Sequence, residues 1–364
     1  MPDADAPLAD LLVLDLSRVL AGPYASMTWA DLGAQVIKVE RPDGGDDTRQ
    51  WGPPWAGGES AYYISVNRNK KSITLNLNTD QGRQITRDLA RKADVLIENF
   101  KVGSMQNWGL SYDELHKENP RLIYCSISGY GQSGPKRHQS GYDFVIQAEG
   151  GIMSINGEVD GRPMKVGVAI VDITAGMNAV IAIQAALYER EKSGFGQHID
   201  IALLDSQVAW LANVGSNYHI TGERPKRYAN AHPNIVPYET FSTADGWIAV
   251  AVGNDRQWKL LCDTAEWDDL AKDERFKTNP LRVEHRNALI PILNKRLGGR
   301  KTESWYQLLS GVGIPCSPIN SIDQVFADPQ VLARQMRIEM PHPTAGSVKL
   351  TGSPLKLSRT QVQM

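Results

Sequence analysis

The chain has 364 residues, enough for one large core and a second, smaller unit, because single cores stop growing at roughly 250–300 residues. Thirty-nine basic against 41 acidic side chains leave a formal charge of -2, which argues against a nucleic-acid partner, and 41% hydrophobic with 22% charged residues suits a folded globular enzyme. The start MPDADAPLAD is acidic where a secretory signal needs a basic and then an apolar region, and the weakly polar stretch around Val166–Ala186 is broken by Asp172, Thr174 and Asn178. A soluble, cytoplasmic protein with no membrane or nucleic-acid partner is therefore expected. Cys125, Cys262 and Cys316 have neither metal-ligand spacing nor the pattern of a disulfide framework, so no metal is expected either.

LLVLDLS at 11–17 reads as a short buried strand, followed by a Gly22–Pro23 turn, a helix ending at Gly33, and a second strand, QVIKVE, at 35–40. SITLNL at 72–77 predicts a half-covered strand, 80–92 a helix through Ile85 and Leu89, DVLIENF at 94–100 a strand, and RLIYCSISGYG at 121–131 a β-rich run ending in glycine. Residues 172–191 have the spacing of a long helix, and GFGQHIDIALLDSQVAWLANV adds a strand and another helix. Near 225 the pattern changes to antiparallel strands joined at Asp245–Gly246, followed by a polar helical stretch over 255–310. An apolar pattern returns after Pro315. The expected division is a large α/β domain over 1–224, a small α+β domain over 225–315, and a return to the large domain over 316–364.

Asp172 ends the apolar run GVAIVD just before a helix. It reads equally as an N-cap and as a carboxylate held outside the strand ends, where open α/β sheets bind ligands. In the second reading it is a nucleophile toward a thioester, ionised at neutral pH and needing no base, only placement and an oxyanion hole. GYGQSGP at 129–135 has glycines that let backbone N–H groups turn inward, although a plain turn is the commoner meaning of such a string. Arg41, Arg49 and Arg68 lie at or just beyond strand-like runs, as phosphate or carboxylate clamps would, and each also reads as a solvated surface arginine. Lys70 and Lys71 share that ambiguity. His198 and Asp200 share a strand face, but no serine or cysteine nucleophile stands in a G-x-S-x-G setting. Neither GxGxxG nor GxxxxGK[ST] follows a strand, which argues against nicotinamide and nucleotide-hydrolysis functions.

The string VLDLSRVLAGPYASMTWADLGAQVIKVERPDGGDDTR, with NRNKKSITLNL, DVLIENF, SISGYGQSGP, GYDFVIQAEGG and GVAIVDITAG, resembles the class III CoA-transferase (CaiB/BaiF) family from about residue 8 to about residue 355. GDDTR, YYISVNRNKKSI and AHPNIVPYETF are most similar to its succinate–hydroxymethylglutarate members. The resemblance implies a Rossmann-like large domain built from both chain ends, an inserted small domain, and an interlocked homodimer. It implies coenzyme A thioesters and a carboxylic acid as substrates, with no permanently bound cofactor. Asp172 would be the catalytic aspartate that forms an aspartyl-CoA intermediate. Val19, Ala21, Arg41, Leu75, Asn99, Gly129 and Tyr130 would contact CoA or face the carboxylate. Arg18, Arg49, Arg68 and His232 are candidates for the distal carboxylate of a dicarboxylate, and Gln147 for developing negative charge.

Several positions depart from the formyl-CoA members. Leu20 stands where they have glutamine, Asn107 near an arginine, and the glycine-only loop is reduced to Gly253 and Asn254. Racemases of the same fold have a histidine in the triplet that here reads Gly141-Tyr142-Asp143, and tyrosine, with an ordinary pKa near 10, is a poor base near neutrality. The expected reaction is CoA transfer between a dicarboxyl-CoA such as succinyl-CoA and glutarate, hydroxymethylglutarate or a similar acid. Carnitine-type or other transfer is the alternative, and 2-methylacyl-CoA racemisation a more remote one.

Overall fold

The computed structural model describes residues 6–363. Two compact units emerge: the larger runs to Met153, resumes over Lys165–Glu223 and again from Asp328, while the smaller comprises Ser154–Met164 and Arg224–Ala327. The chain thus leaves the small unit at 327 rather than at the expected 315. The physical reason is that Cys316–Pro318 pairs with Trp247–Ala251 as a third antiparallel strand of the small sheet. Ser154–Met164, a further part of that unit, carried no signal in the sequence.

The large unit is built on six parallel strands: β1 (Leu12–Asp15), β2 (Gln35–Glu40), β3 (Lys70–Thr74), β4 (Val95–Glu98), β5 (Ile123–Ser128) and β6 (His198–Ala202). Their order across the sheet is β3-β2-β1-β4-β5-β6. The chain order reverses between β1 and β4, the point where a doubly wound sheet opens a crevice at its carboxyl edge. Alternation along the strands serves both faces. Val13, Val36, Val95, Ile97 and Ile123 join one core, and Leu14, Leu16, Val39, Leu96 and Leu122 the other.

β3 begins two residues before the expected run, and Leu75 and Leu77 lie beyond the ladder, where they line a cavity instead. Helix α1 (Ala21–Asp31) joins β1 to β2. Between β5 and β6 lie α2 (Asp143–Glu149) and the long helix α3 (Ile170–Ser193). α3 is long and apolar enough to cross a membrane, but Val171, Ala175, Ala179, Ile183 and Ala186 build one side of it into the core. α1 and α3 pack closely at Gly176, where a Cβ would lie 2.6 Å from the Ala21 carbonyl oxygen.

The C-terminal return forms a hairpin of Arg337–His342 and Gly346–Thr351. Arg68 fastens it to the rest of the unit. Its guanidinium meets both oxygens of Asp31, at 2.9 and 2.6 Å, and donates to the Thr351 carbonyl at 2.9 Å.

Candidate active site

Beyond β1 the chain turns sharply through Ser17–Leu20. Val19 has φ +70°, a region that a β-branched residue occupies only when its surroundings impose it. Asn99, just past β4, accepts from Arg18 N–H at 2.8 Å and donates to Arg18 C=O at 2.7 Å, clamping the peptide on either side of that residue. Asp46 accepts from Val19 N–H at 3.2 Å and pairs with Lys38 at 2.9 Å, with both side chains almost fully buried. Lys38 also donates to the Ser17 carbonyl at 2.8 Å. Beneath the turn, Asp15 accepts from Ser17 and Ser26 hydroxyls, both at 2.5 Å, and from Lys70 at 3.3 Å. Burial pushes the Asp15 carboxyl up, but Lys70, Lys38 and the hydroxyls hold it below the usual carboxylate range. Burial also pushes Lys70 down to about 7. A buried ionic framework therefore holds a strained loop at the carboxyl edge.

α1 starts immediately after this loop, with Leu20 as an N-cap that offers no side-chain oxygen. Its first-turn N–H groups form the positive end of the helix. Asp172 stands opposite, in the first turn of α3. Residues 166–169 form no strand, and helix begins at Ile170, so the apolar run in the sequence is the lead-in to a helix. Asp172 is half-buried, and no described residue forms a hydrogen bond or ion pair with its carboxylate. Burial, and then the nearby Asp143, push it up to about 7. The carboxyl therefore gives up its proton less readily than an ordinary aspartate, a feature the sequence reading of a freely ionised carboxylate did not include. Tyr62, packed among Val19, Ala169 and Ile173, is pushed up to about 12 by burial and by the same two carboxylates.

Asp172 opens into a pocket of about 210 Å³ with Arg18, Val19, Ala21, Asn99, Gly129 and Tyr142 among its lining residues. Gly129 crosses Gly141 so tightly that a Cβ on it would lie 2.7 Å from the Gly141 Cα. A second cavity, of about 270 Å³, lies over the ends of β1, β2 and β3 and is lined by Arg41, Leu75, Leu77, Phe100 and Trp108. Arg18 borders both and stacks on Phe100 at 5.6 Å. The pair of cavities at the reversal point suits an elongated ligand with a reactive end at Asp172.

Residues 8–364 match the family described as CoA-transferase family III. The chain is 48% identical to the succinate–glutarate CoA-transferase of Agrobacterium fabrum, covering 100% of this chain and 92% of that one. It is 46% identical to the human succinyl-CoA:glutarate CoA-transferase, covering 97% and 81%. A crystal structure of a CAIB/BAIF family protein from Brucella suis superposes with a TM-score of 0.87 at 47% identity, over 98% of this chain and 94% of that one. The chain belongs to CoA-transferase family III. It is an enzyme of a family that uses CoA thioesters.

For a CoA-transferase, the placement of the residues singled out in the sequence is informative. Asp172, Val19, Ala21, Asn99, Gly129 and Arg18 come together in one pocket, and Arg41 and Leu75 in the adjoining cavity. Tyr130 is not among the lining residues, and its hydroxyl donates to Glu149 at 2.7 Å. Arg49 is committed to Glu40 through Nε at 2.7 Å and to Glu59 at 2.9 Å, and holds Glu40 down to about 2 against the effect of burial. Arg68 is the staple described above. Gln147 is fully buried between Asp143 and Val166 N–H. All three are engaged with partners inside the protein, and none lines either cavity.

His232 belongs to the small unit, where Nδ1 accepts from Asn234 N–H at 3.0 Å. Gly253 and Asn254 also lie there and cap the helix Asp255–Ala265 through Gln257. Tyr142, in the triplet that distinguishes racemases, is solvent-exposed. Among the described residues no cluster of His, Cys, Asp and Glu suits a metal ion. Sequence reasoning missed Lys38, Asp46, Tyr62 and Arg137. Asp46 and Lys38 read as ordinary surface charges, and only their distant partners reveal them.

Proposed function

We propose that the protein moves CoA between a dicarboxyl-CoA such as succinyl-CoA and a second dicarboxylic acid, glutarate or one close to it, through Asp172. The observation that carries this reading is a half-buried carboxylate without a partner, set in a pocket at the reversal point of the sheet opposite the start of α1. The dicarboxylate substrates named for the relatives support the choice of acids.

In the reaction, an Asp172 oxygen attacks the thioester carbonyl. A C–O bond forms, the C–S bond breaks, and the electron pair leaves with sulfur as CoA thiolate. The thiolate attacks the Asp172 carbonyl, making an aspartyl-CoA thioester and releasing the donor carboxylate. The acceptor carboxylate attacks that thioester, and the returning thiolate takes the acyl group, restoring Asp172. Each step moves one negative charge and no proton. In the first turn of α1, where Pro23 has no N–H and Tyr24 N–H is bonded to the Leu20 carbonyl, Ala21 and Gly22 N–H are the proposed donors for the developing oxyanion, together with Gly129 N–H.

A distal carboxylate taken out of water requires a cation. Arg18 already pairs with Asp47 at 3.2 Å, whereas Arg137, on the same pocket, has no ion pair among the described residues. Arg137 is the cation assigned to it, since a guanidinium fork meets both oxygens. The test compares kcat/KM for succinyl-CoA and butyryl-CoA, a nearly isosteric donor lacking the charge, with one acceptor. Succinyl-CoA should be better by about 10- to 150-fold, the worth of one charge-assisted hydrogen bond, and Arg137→Gln should erase the difference. Equal values in the native enzyme would sink the dicarboxylate reading. The protein is also proposed to act as an interlocked homodimer. Met177, Ile181 and Tyr188 on α3 and Trp210 beyond it are exposed apolar side chains of the kind a second copy would cover. An active monomer at micromolar concentration would exclude this.

A further inference from the structure

Asp172 has a carboxylate neighbour that does not line the pocket. Asp143, the first residue of α2, is buried, and its Oδ1 accepts from Val171 N–H at 2.8 Å. Its Oδ2 accepts from Gln147 Nε2 at 2.7 Å, and Gln147 Oε1 accepts in turn from Val166 N–H at 2.8 Å. The side chains of α2 therefore grip the backbone at two points within the six residues before Asp172. α3 lacks a side-chain cap of its own at Ala169, and Asp143 supplies one from another helix. Both Asp143 oxygens receive N–H donors, which is the bonding pattern of a carboxylate.

We propose that Asp143 is a positioning residue for the reaction: it fixes the first turn of α3 and sets a like charge against Asp172, so that acylation, which removes the Asp172 charge, is favoured over the free carboxylate. The inference rests on Asp172 being the acyl carrier. A carboxylate at a helix N-terminus is ordinarily stabilised by the helix dipole and free N–H groups, and would be a sluggish nucleophile. Here Asp143 occupies the Val171 N–H and brings negative charge. When the Asp172 oxygen forms its C–O bond to the acyl carbon, the negative charge departs on the CoA sulfur as the C–S bond breaks, and the repulsion is relieved. The other charged or titratable groups facing Asp172 are Tyr62 from the helix Ala61–Asn67 and, around the pocket, Arg18, Asp47, Lys101, Arg137 and Tyr142. All six remain in the variants below.

The experiment measures the pH dependence of kcat/KM for succinyl-CoA in the native enzyme, Asp143→Asn and Asp143→Glu. Hydroxylamine trapping reports the level of acylated Asp172 in each. The native acid limb is expected near 7. Asp143→Asn should move it down by about one pH unit and lower the trapped acyl-enzyme several-fold. Asp143→Glu, which keeps the charge but not the geometry, should lose kcat while leaving the limb in place. A limb unmoved in folded Asp143→Asn, or moved equally by both substitutions, overturns the proposal. Should Asp143→Asn fail to fold, Asp143→Ser, which retains an acceptor for Val171 N–H, is judged by the same two outcomes. Absence of any label on Asp172 in the turning-over native enzyme would instead refute the acyl carrier itself, and the two failures are thus distinguishable.

Discussion

The loop after β1 and the first turn of α3 border one pocket, yet their charges are treated in opposite ways. At Arg18–Ala21 the backbone and the carboxylates are answered, with only Arg18 Nε buried and unpaired: Asn99 holds the Arg18 peptide, Asp46 holds Val19, and Lys38 and Lys70 pair with the carboxylates beneath. At Asp172 the carboxylate has no cation, and burial, with a second carboxylate adding to it, pushes it up to about 7. The contrast separates two requirements of a covalent catalyst. The surface that receives the oxyanion must not move, so its strain is held by a satisfied ionic framework. The nucleophile must not be satisfied, because each partner that stabilised its charge would raise the barrier to giving that charge up.

The sharpest way to break the comparison is at the nucleophile. Asp172→Asn should lower turnover by at least about 10³-fold while leaving acyl-CoA binding measurable by calorimetry. Retained turnover would mean that the unsatisfied carboxylate is incidental. Next in size is the framework. Asp46→Ala leaves Lys38 buried without its partner, and should cost about 3–5 kcal/mol in urea unfolding together with loss of activity. A cost below 1 kcal/mol would show that the loop is not held as described.

Smaller again is the contact that joins the two regions. Gly176 lies one turn beyond Asp172 and packs on the Ala21 carbonyl. Glycine to alanine inside a helix normally gains roughly 0.5–1 kcal/mol. Here the added methyl would sit 2.6 Å from a backbone oxygen, so Gly176→Ala should instead destabilise by about 1–3 kcal/mol and lower kcat by shifting Asp172. A stabilised, fully active variant would show that the spacing of the helices does not matter.

The strands of the large sheet were legible in the sequence because they are buried on both faces, which makes runs such as LLVLDLS and DVLIENF continuous and apolar. The start of β3 was missed because Lys70 and Lys71 look like a solvated turn, and nothing local indicates that Lys70 is buried against Asp15, 55 residues earlier. Asp172 stood out as an acid in an apolar run. Its neighbour Asp143, 29 residues upstream, is brought beside it only by the packing of α2 on the start of α3. Arg49 and Arg68 invited a substrate role because arginine is the usual carboxylate ligand. The acids that hold them, Glu40 and Asp31, sit at the ends of β2 and α1, and only tertiary structure shows that those carboxylates are internal.

The smallest effect concerns stability and pH, and it tests whether Asp172 is held against its own preference. In an unfolded chain its carboxyl titrates near 3.9, whereas in the folded protein it titrates at about 7. Between those values the native state binds more protons than the unfolded state, so this residue makes folding less favourable as pH rises from about 4 to about 7, with the full cost present above 7. Asp172→Asn removes that cost without removing any hydrogen bond formed by a described residue. The variant should therefore match the native protein in unfolding free energy near pH 4.5 and exceed it by about 1–2 kcal/mol at pH 8, the figure being discounted because the carboxylate faces solvent on one side. The same substitution would then abolish transfer and stabilise the fold, as expected where a site is built at the expense of stability. Urea titrations at four pH values between 4.5 and 8 decide it. A difference independent of pH would mean that Asp172 ionises as it does in water, and the contrast with the framework under Val19 would lose its second half.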